Sequence, residues 1–292
     1  MGVYQECKNK KTGVRNTGAK EQCLEGLFIK PALAIPGFSF PTVSAAKTKA
    51  AWDAAIAAKQ LFPLYEVEEL ASANTEDTFY EGRSRQYRTA SGKKVSTFTS
   101  FLGLCSHSAL KAFHGKEMGL FEFTEDGAIK GVIMDNGMVK GQDVVLNIGK
   151  RLDATADRPP STLITTNYKS ADQFEDDGAI LRPETWGYID LYGVFDVNLV
   201  QVSANATTIK VKANDGCAGG DSALTAFIAA NFKVRNLAGA VVTTTFVEAD
   251  ADGVYTLVGT GFVSGFTVEL NGVVTMAGMA YESPEKLIIA VV

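Results

Sequence analysis

The run at positions 120–149, LFEFTEDGAIKGVIMDNGMVKGQDVVLNIG, limits the possible folds more than any other stretch. Phe121 and Phe123 alternate with Glu122 and Thr124, a period of two that gathers apolar groups on one face of a strand. Glu125-Asp126-Gly127 then turns the chain, and Asp135-Asn136-Gly137 turns it again. Asn-Gly between alternating segments is the strongest short-range hairpin signal. Val144, Leu146 and Ile148 alternate with Val145, Asn147 and Gly149 on the way out. The reading is a meander of antiparallel strands with one apolar side. Such a sheet must close, cover its margins, or pair with another chain, and the next copy of the same protein is one candidate.

The last hundred residues repeat that pattern in shorter pieces. Apolar pairs and triplets recur at Phe195/Val197/Leu199, Ile209/Val211/Ala213, Phe232/Val234, Tyr255/Leu257 and Phe266/Val268/Leu270. Turn signals fall between them at Asn214-Asp215-Gly216, Asp252-Gly253 and Asn271-Gly272. About seven short strands in roughly 100 residues is the pattern of an immunoglobulin-like sandwich.

Upstream, residues 1–40 read as an arm. The first 30 are polar and carry Lys8, Lys10, Lys11, Arg15 and Lys20; LFIKPALAIPGFSFP follows with three prolines. Proline lacks the N–H that a ladder needs, so this apolar piece is expected as an edge or crossing segment, with a neighbouring subunit as one place to pack. VSAAKTKAAWDAAIAAKQLF is the clearest helix, with Ser44 at its start, Trp52 on its apolar side and Pro63 ending it. Strands are expected at 64–70 and 94–104, and a short helix at 106–115. A short strand is expected at 162–166, inside a long polar connection.

Between the two strands at 64–70 and 94–104 lies ASANTEDTFYEGRSRQYRTASGK, long, polar and split in charge. Glu76, Asp77 and Glu81 come first; Arg83, Arg85 and Arg88 follow, with Tyr80 and Tyr87 among them. A stretch of this length in a compact domain is either functional or disordered. Three readings fit it: a solvated hairpin tip, a nucleic-acid track of basic and aromatic side chains, or an arm that docks on another subunit, its opposite charges steering register.

Reactive side chains are sparse by comparison. No Gly-x-Ser-x-Gly, phosphate-binding glycine loop or dinucleotide fingerprint is present. His107 and His114, the only histidines, have no adjoining cysteine or acidic residue at zinc spacing. Asp176-Asp177-Gly178 and Asp250-Ala251-Asp252-Gly253 read as turns. Cys7, Cys23, Cys105 and Cys217 form no close pair and are expected as free thiols. A net charge of −5 gives no global basic field for gripping nucleic acid. No run is apolar enough for a signal peptide or a membrane span, so synthesis and folding in cytoplasm are expected. Neither an enzymatic reaction, a cofactor nor a metal is expected.

The order of parts resembles phage tail tube (major tail) proteins: a helix and strand, the charge-split hairpin at 71–93, then FEFTEDGAIKGVIMDNGMVKGQDVVLNIG. DGVYTLVGTGFVSGFTVELNGV, at 252–273, resembles the Ig-like domains appended to phage virion proteins. The resemblance implies a mainly β chain with one or two helices. It would have an arm at 1–40, a tail-tube-like β-sandwich or barrel at 41–192 and an Ig-like sandwich at 193–292. It implies a subunit that forms rings, six copies each, stacked into the tail of a virion after assembly in the host cytoplasm. Partners would be other copies, other tail proteins, and double-stranded DNA passing through the lumen without specific binding. That lumen is expected to be neutral to acidic. The residues assigned to the inter-subunit arm are Glu76, Asp77, Tyr80, Glu81, Arg83, Arg85, Tyr87 and Arg88. The N-terminal arm with Cys7 and Cys23 departs from the family's pattern. Other readings are a capsid decoration or head-fibre base, and a sandwich-type carbohydrate-binding protein.

Overall fold

A computed structural model describes residues 3–6, 26–216, 222–247, 253–276 and 278–291. The chain is mainly β, with 46% of it in strands and 13% helical. It divides into two compact units, residues 1–55 with 59–191, and residues 56–58 with 192–292.

The first unit is built on one large, strongly curved sheet. The strands expected here are present as Glu117–Thr124, Ile129–Ile133 and Gln142–Leu152, paired antiparallel, but the order is not that of a meander: Glu117–Thr124 lies between the other two, and only Val139–Lys140 returns along Ile129–Ile133. Gly127 and Gly137 sit in the two turns at φ +80 and +81, where a side chain would be strained. From Gln142–Leu152 the sheet runs on through Ser161–Tyr168 and Val95–Phe101 to Glu69–Ser72, each step antiparallel. Ser161–Tyr168, expected as a brief strand in a connection, is an eight-residue inner strand with partners on both sides.

Two faces of this sheet carry separate cores. On one, Phe98, Leu120, Val144, Leu146 and Ile164 pack with Phe28, Leu33 and Leu110. On the other, Trp52 stands 5.1 Å from the rings of both Phe121 and Phe123, and Phe40 and Trp186 close the cluster. Strict alternation along Glu117–Thr124 sends Leu120 to one core and Phe121 to the other. That is why a strand read as one-sided is buried on both faces.

Three expectations change. Phe28–Ala34 is no margin or crossing segment: it pairs with Glu117–Thr124 on one side and Leu61–Pro63 on the other, and Ala32 and Leu33 are wholly buried. Pro31 is tolerated because its carbonyl still accepts from Leu64 N, so only one ladder bond is lost. The arm therefore does not extend to residue 40. The long helix is two short ones, Val43–Ala46 and Lys49–Ala57, and the N-cap is Thr42, not Ser44: Thr42 Oγ1 accepts from Ala45 N. The second helix stops before Lys59, which turns left-handed at φ 57, and Pro63 lies in a strand. Cys105 is disulfide-bonded, against the expectation of free thiols; Cys7, Cys23 and Cys217 lie outside the described residues.

The second unit is a two-layer sandwich. One sheet holds Val194–Ala204, Thr208–Asp215 and Val254–Val258 antiparallel, with Met279–Glu282 parallel to the start of the first. The other holds Phe232–Arg235, Thr267–Leu270 and Leu287–Ile288. Val197, Ile209 and Val211 from one layer meet Phe232, Val234 and Val268 from the other in a common core. Tyr255 is fully buried there, and its hydroxyl donates to Leu224 O while accepting from Phe227 N.

Candidate functional site

The charge-split stretch is a two-stranded ribbon, Thr78–Glu81 against Gln86–Ala90, exposed along its whole length. It continues the pair Glu69–Ser72 and Val95–Phe101 upward. Where the backbones part, side chains bridge them: Asn74 Oδ1 accepts from Val95 N, Thr75 Oγ1 from Lys93 N, and Asp77 Oδ1 from Gly92 N. Asn, Thr and Asp mimic backbone carbonyls well, so this sequence makes a ladder of side chains.

Tyr80 and Tyr87 stand directly opposite each other on one face of the ribbon, and Phe79 pairs with Arg88 on the other. Arg85 Nε donates to the Tyr87 hydroxyl at 2.7 Å, and Gln86 to Glu81 at 3.0 Å. Arg88 Nε lies 2.6 Å from Asp77 Oδ2, and the same guanidinium reaches Asp172 at 3.8 Å. The Gly92 N–H, followed by Arg88, holds the Asp77 carboxyl below its ordinary range. One opposite pair, Asp77 and Arg88, thus meets inside the ribbon, Glu81 and Arg85 bond the neutral Gln86 and Tyr87, and Glu76 and Arg83 are exposed. Phe79, which the sequence reading missed, is 55% exposed and Tyr80 65%. An isolated ribbon has no second layer to bury them.

Beneath the ribbon lies a four-strand sheet: Glu69–Ser72, Val95–Phe101, Ser161–Tyr168 and Gln142–Leu152. Its even-numbered side chains, Phe98, Ile164, Val144 and Leu146, face the core. Its odd-numbered side chains make the other face, where Thr97, Leu163, Thr165, Asn167, Val145 and Asn147 keep solvent access while Thr99 and Ser161 are buried. No lysine or arginine occurs in 69–72, 95–101, 161–167 or 143–149, where Glu69 and Asp143 are the only charges; Lys150 and Arg151 follow at the bulged end of Gln142–Leu152, and Arg158 pairs with Glu69 at 3.0 Å. Asp143 is paired with Lys140 at 2.6 Å.

One margin of the sheet is Glu69–Ser72, exposed at all four residues and paired on one side only. The other margin is the end of Gln142–Leu152. There the pairing to Glu117–Thr124 stops at Val145, and Leu146 bonds to Gly115 and Lys116. Ile148 N then donates to His114 Nδ1 at 3.0 Å. A bulge follows between Ile148 and Arg151.

The buried ionisable groups are bound into the fold. Glu122 accepts from the Tyr168 hydroxyl at 2.6 Å and from Gln142 Nε2 at 3.3 Å. Burial, then the charge of Glu122, pushes the Tyr168 hydroxyl far above its ordinary range. Lys30 donates to the carbonyls of Tyr188 and Leu191, and burial lowers its pKa. His107 bonds Thr162 Oγ1 at 2.8 Å, and burial, with Lys111 and Arg151 nearby, lowers its pKa. Both histidines thus have structural partners. Among the described residues no group of three or more His, Cys, Asp and Glu side chains converges to hold a metal, and no helix is long and apolar enough to cross a membrane.

No protein-family model matches the chain, and no curated protein matches it.

Proposed function

We propose that this chain is a structural virion protein: a phage tail tube subunit that closes into rings, six copies each, stacked as a conduit for DNA. One observation carries this reading. The four-strand sheet has a core-facing side, an opposite side whose central segments 69–72, 95–101, 161–167 and 143–149 contribute no lysine or arginine, and two margins that end without a strand partner among the described residues.

Each property answers a physical demand of such a tube. Sheets joined margin to margin in a ring leave no bare strand edge. Cyclic symmetry makes the contact heterologous, so two different margins are required, and the sheet has two. A wall that passes DNA must not collect phosphates, whose binding is driven by lysine and arginine. Threonine, asparagine, valine and leucine side chains, with Glu69 and Asp143 each paired to a basic group, give a near-neutral wall. The ribbon at 78–90 stands out from the same sheet and supplies a contact to the next ring, using Phe79, Tyr80 and Tyr87 as apolar anchors. No catalytic role is assigned.

Negative-stain microscopy of the purified chain tests the reading. Rings or stacked tubes are expected, and a chain that stays monomeric at high concentration under every condition would end it. A second arm uses Thr97→Lys with Asn147→Lys. Tubes of that variant should retain double-stranded DNA in a salt-dependent way, while wild-type tubes should not; equal retention by both would remove the face from the lumen.

A further inference from the structure

The second margin of the four-strand sheet is held in an unusual way. Gln142–Leu152 is eleven residues long, but its partner on one side covers only its first third. Leu146 directs both N–H and C=O to that side, bonding Lys116 and Gly115. By alternation Ile148 directs its groups there too. In place of a strand carbonyl, its N–H meets the imidazole Nδ1 of His114. Because the amide donates, Nδ1 carries no proton in this contact, and the ring is the neutral form protonated on Nε2. The bulge between Ile148 and Arg151 comes next. A side-chain plug and a bulge are two means by which chains keep a strand edge from pairing prematurely.

On the reading that copies of this chain close into rings, we propose that His114 is an edge guard, displaced when strand Glu69–Ser72 of an adjoining copy pairs along residues 148–152. Sense and length both favour that occupant. Three antiparallel steps separate Gln142–Leu152 from Glu69–Ser72, so the two run in opposite senses. Rotation about an axis along the strands preserves those senses, and the incoming strand arrives antiparallel. It offers four residues to a stretch of five. Ala73 N bonds Val95 O, so Ala71 and Ala73 face inward and Leu70 and Ser72 turn their backbone groups outward. The exchange is balanced: Ile148 N–H leaves a histidine nitrogen for a backbone carbonyl, and the imidazole returns to solvent. The guard costs assembly one hydrogen bond, which sets a threshold concentration without closing the route.

Three measurements on the full chain test this. His114→Ala should lower the concentration needed for ring formation roughly fivefold, the scale of one net hydrogen bond. In the free variant the Ile148 amide should exchange fast with deuterium, and in its assembled rings it should become protected. Ser72→Pro removes an outward N–H at an exposed margin where proline is tolerated. It should leave the melting temperature nearly unchanged and abolish the gain from His114→Ala. An unchanged or raised threshold in His114→Ala overturns the proposal. So does an Ile148 amide that stays fast in assembled rings, or a Ser72→Pro chain that assembles like wild type. These failures leave the tube reading standing if wild-type rings form. If no form of the chain makes rings, the tube reading fails and the guard falls with it.

Discussion

The two units bury different kinds of side chain. Among the described residues the first encloses Lys30, His107, Glu122 and Gln142, each hydrogen-bonded. Among the described residues the second buries one side chain of that kind, Asn214, beside the hydrogen-bonded hydroxyl of Tyr255. Buried polar and charged groups contribute little net stability, but removing one partner leaves the other unsatisfied at a cost, which penalises a misplaced arrangement. We take the difference as a difference of task. The sandwich has only to hold itself together. On the proposed tube reading the curved sheet must present two margins in fixed register, and its hydrogen-bonded buried groups and ion pairs tie strands, turns and the short helix at Gln173–Asp177 into one arrangement. The ring of Phe174, in that helix, lies under Lys94 and Lys130.

The contrast predicts where the units should respond alike and where they should part. The largest effect should not separate them. Trp52→Ala in the first unit and Phe227→Ala in the second each empty a fully buried aromatic site, and each should cost about 3–5 kcal/mol in urea unfolding. A much smaller loss in either would mean that its core is not close-packed.

Next come the buried hydroxyls. Tyr168→Phe takes a donor from a charged acceptor and should cost about 1.5–3 kcal/mol; Tyr255→Phe breaks neutral bonds and should cost less, about 1 kcal/mol. Both tyrosines have raised pKa values, so their stabilisation is fully present below the ordinary value near ~10 and is lost as pH rises through the folded one. Alkaline titration of wild type and Tyr168→Phe should show the acid-side plateau of the first unit extended to higher pH in the variant. Equal costs for the two substitutions would erase the distinction between the units.

A smaller, pH-dependent effect belongs to His107, which burial holds below its ordinary range. A depressed folded pKa means stability that is present above about 6.5 and is lost as pH falls through the folded value. His107→Gln should flatten the fall in the urea midpoint between neutral and mildly acid pH. An unaltered slope would show that another group carries it. Smallest of all is Arg88→Ala. The ribbon lies outside both cores, so the midpoint should hardly move, while amide exchange across 78–90 should quicken. A large drop in the midpoint would make the ribbon part of the core.

Much of this fold is legible in the sequence, but unevenly. The strands at 120–149, though not their order, the turns at Gly127 and Gly137, the core position of Trp52 and the run of short strands after residue 193 all follow from local period and turn chemistry. The ribbon's existence was legible too, although one of its opposite pairs, Asp77–Arg88, closes within it and Phe79 went unnoticed among polar neighbours. The edge at Ile148 gave no signal. His114 lies 34 positions away, and nothing in its local surroundings marks it as the acceptor of a strand amide.

The sequence alone determined that this chain is built of strands, where it turns, and which side chains seek an interior, because those depend on neighbours a few residues apart. Only the tertiary structure decided which strands are inner and which are margins. Phe28–Ala34 and Ser161–Tyr168 look marginal in sequence and are central in space, while Glu69–Ser72 is left open. The physical reason is that the backbone hydrogen-bonding groups of a strand are the same whatever its side chains. A strand's pattern records which face meets the core, and its partner is chosen by the rest of the fold.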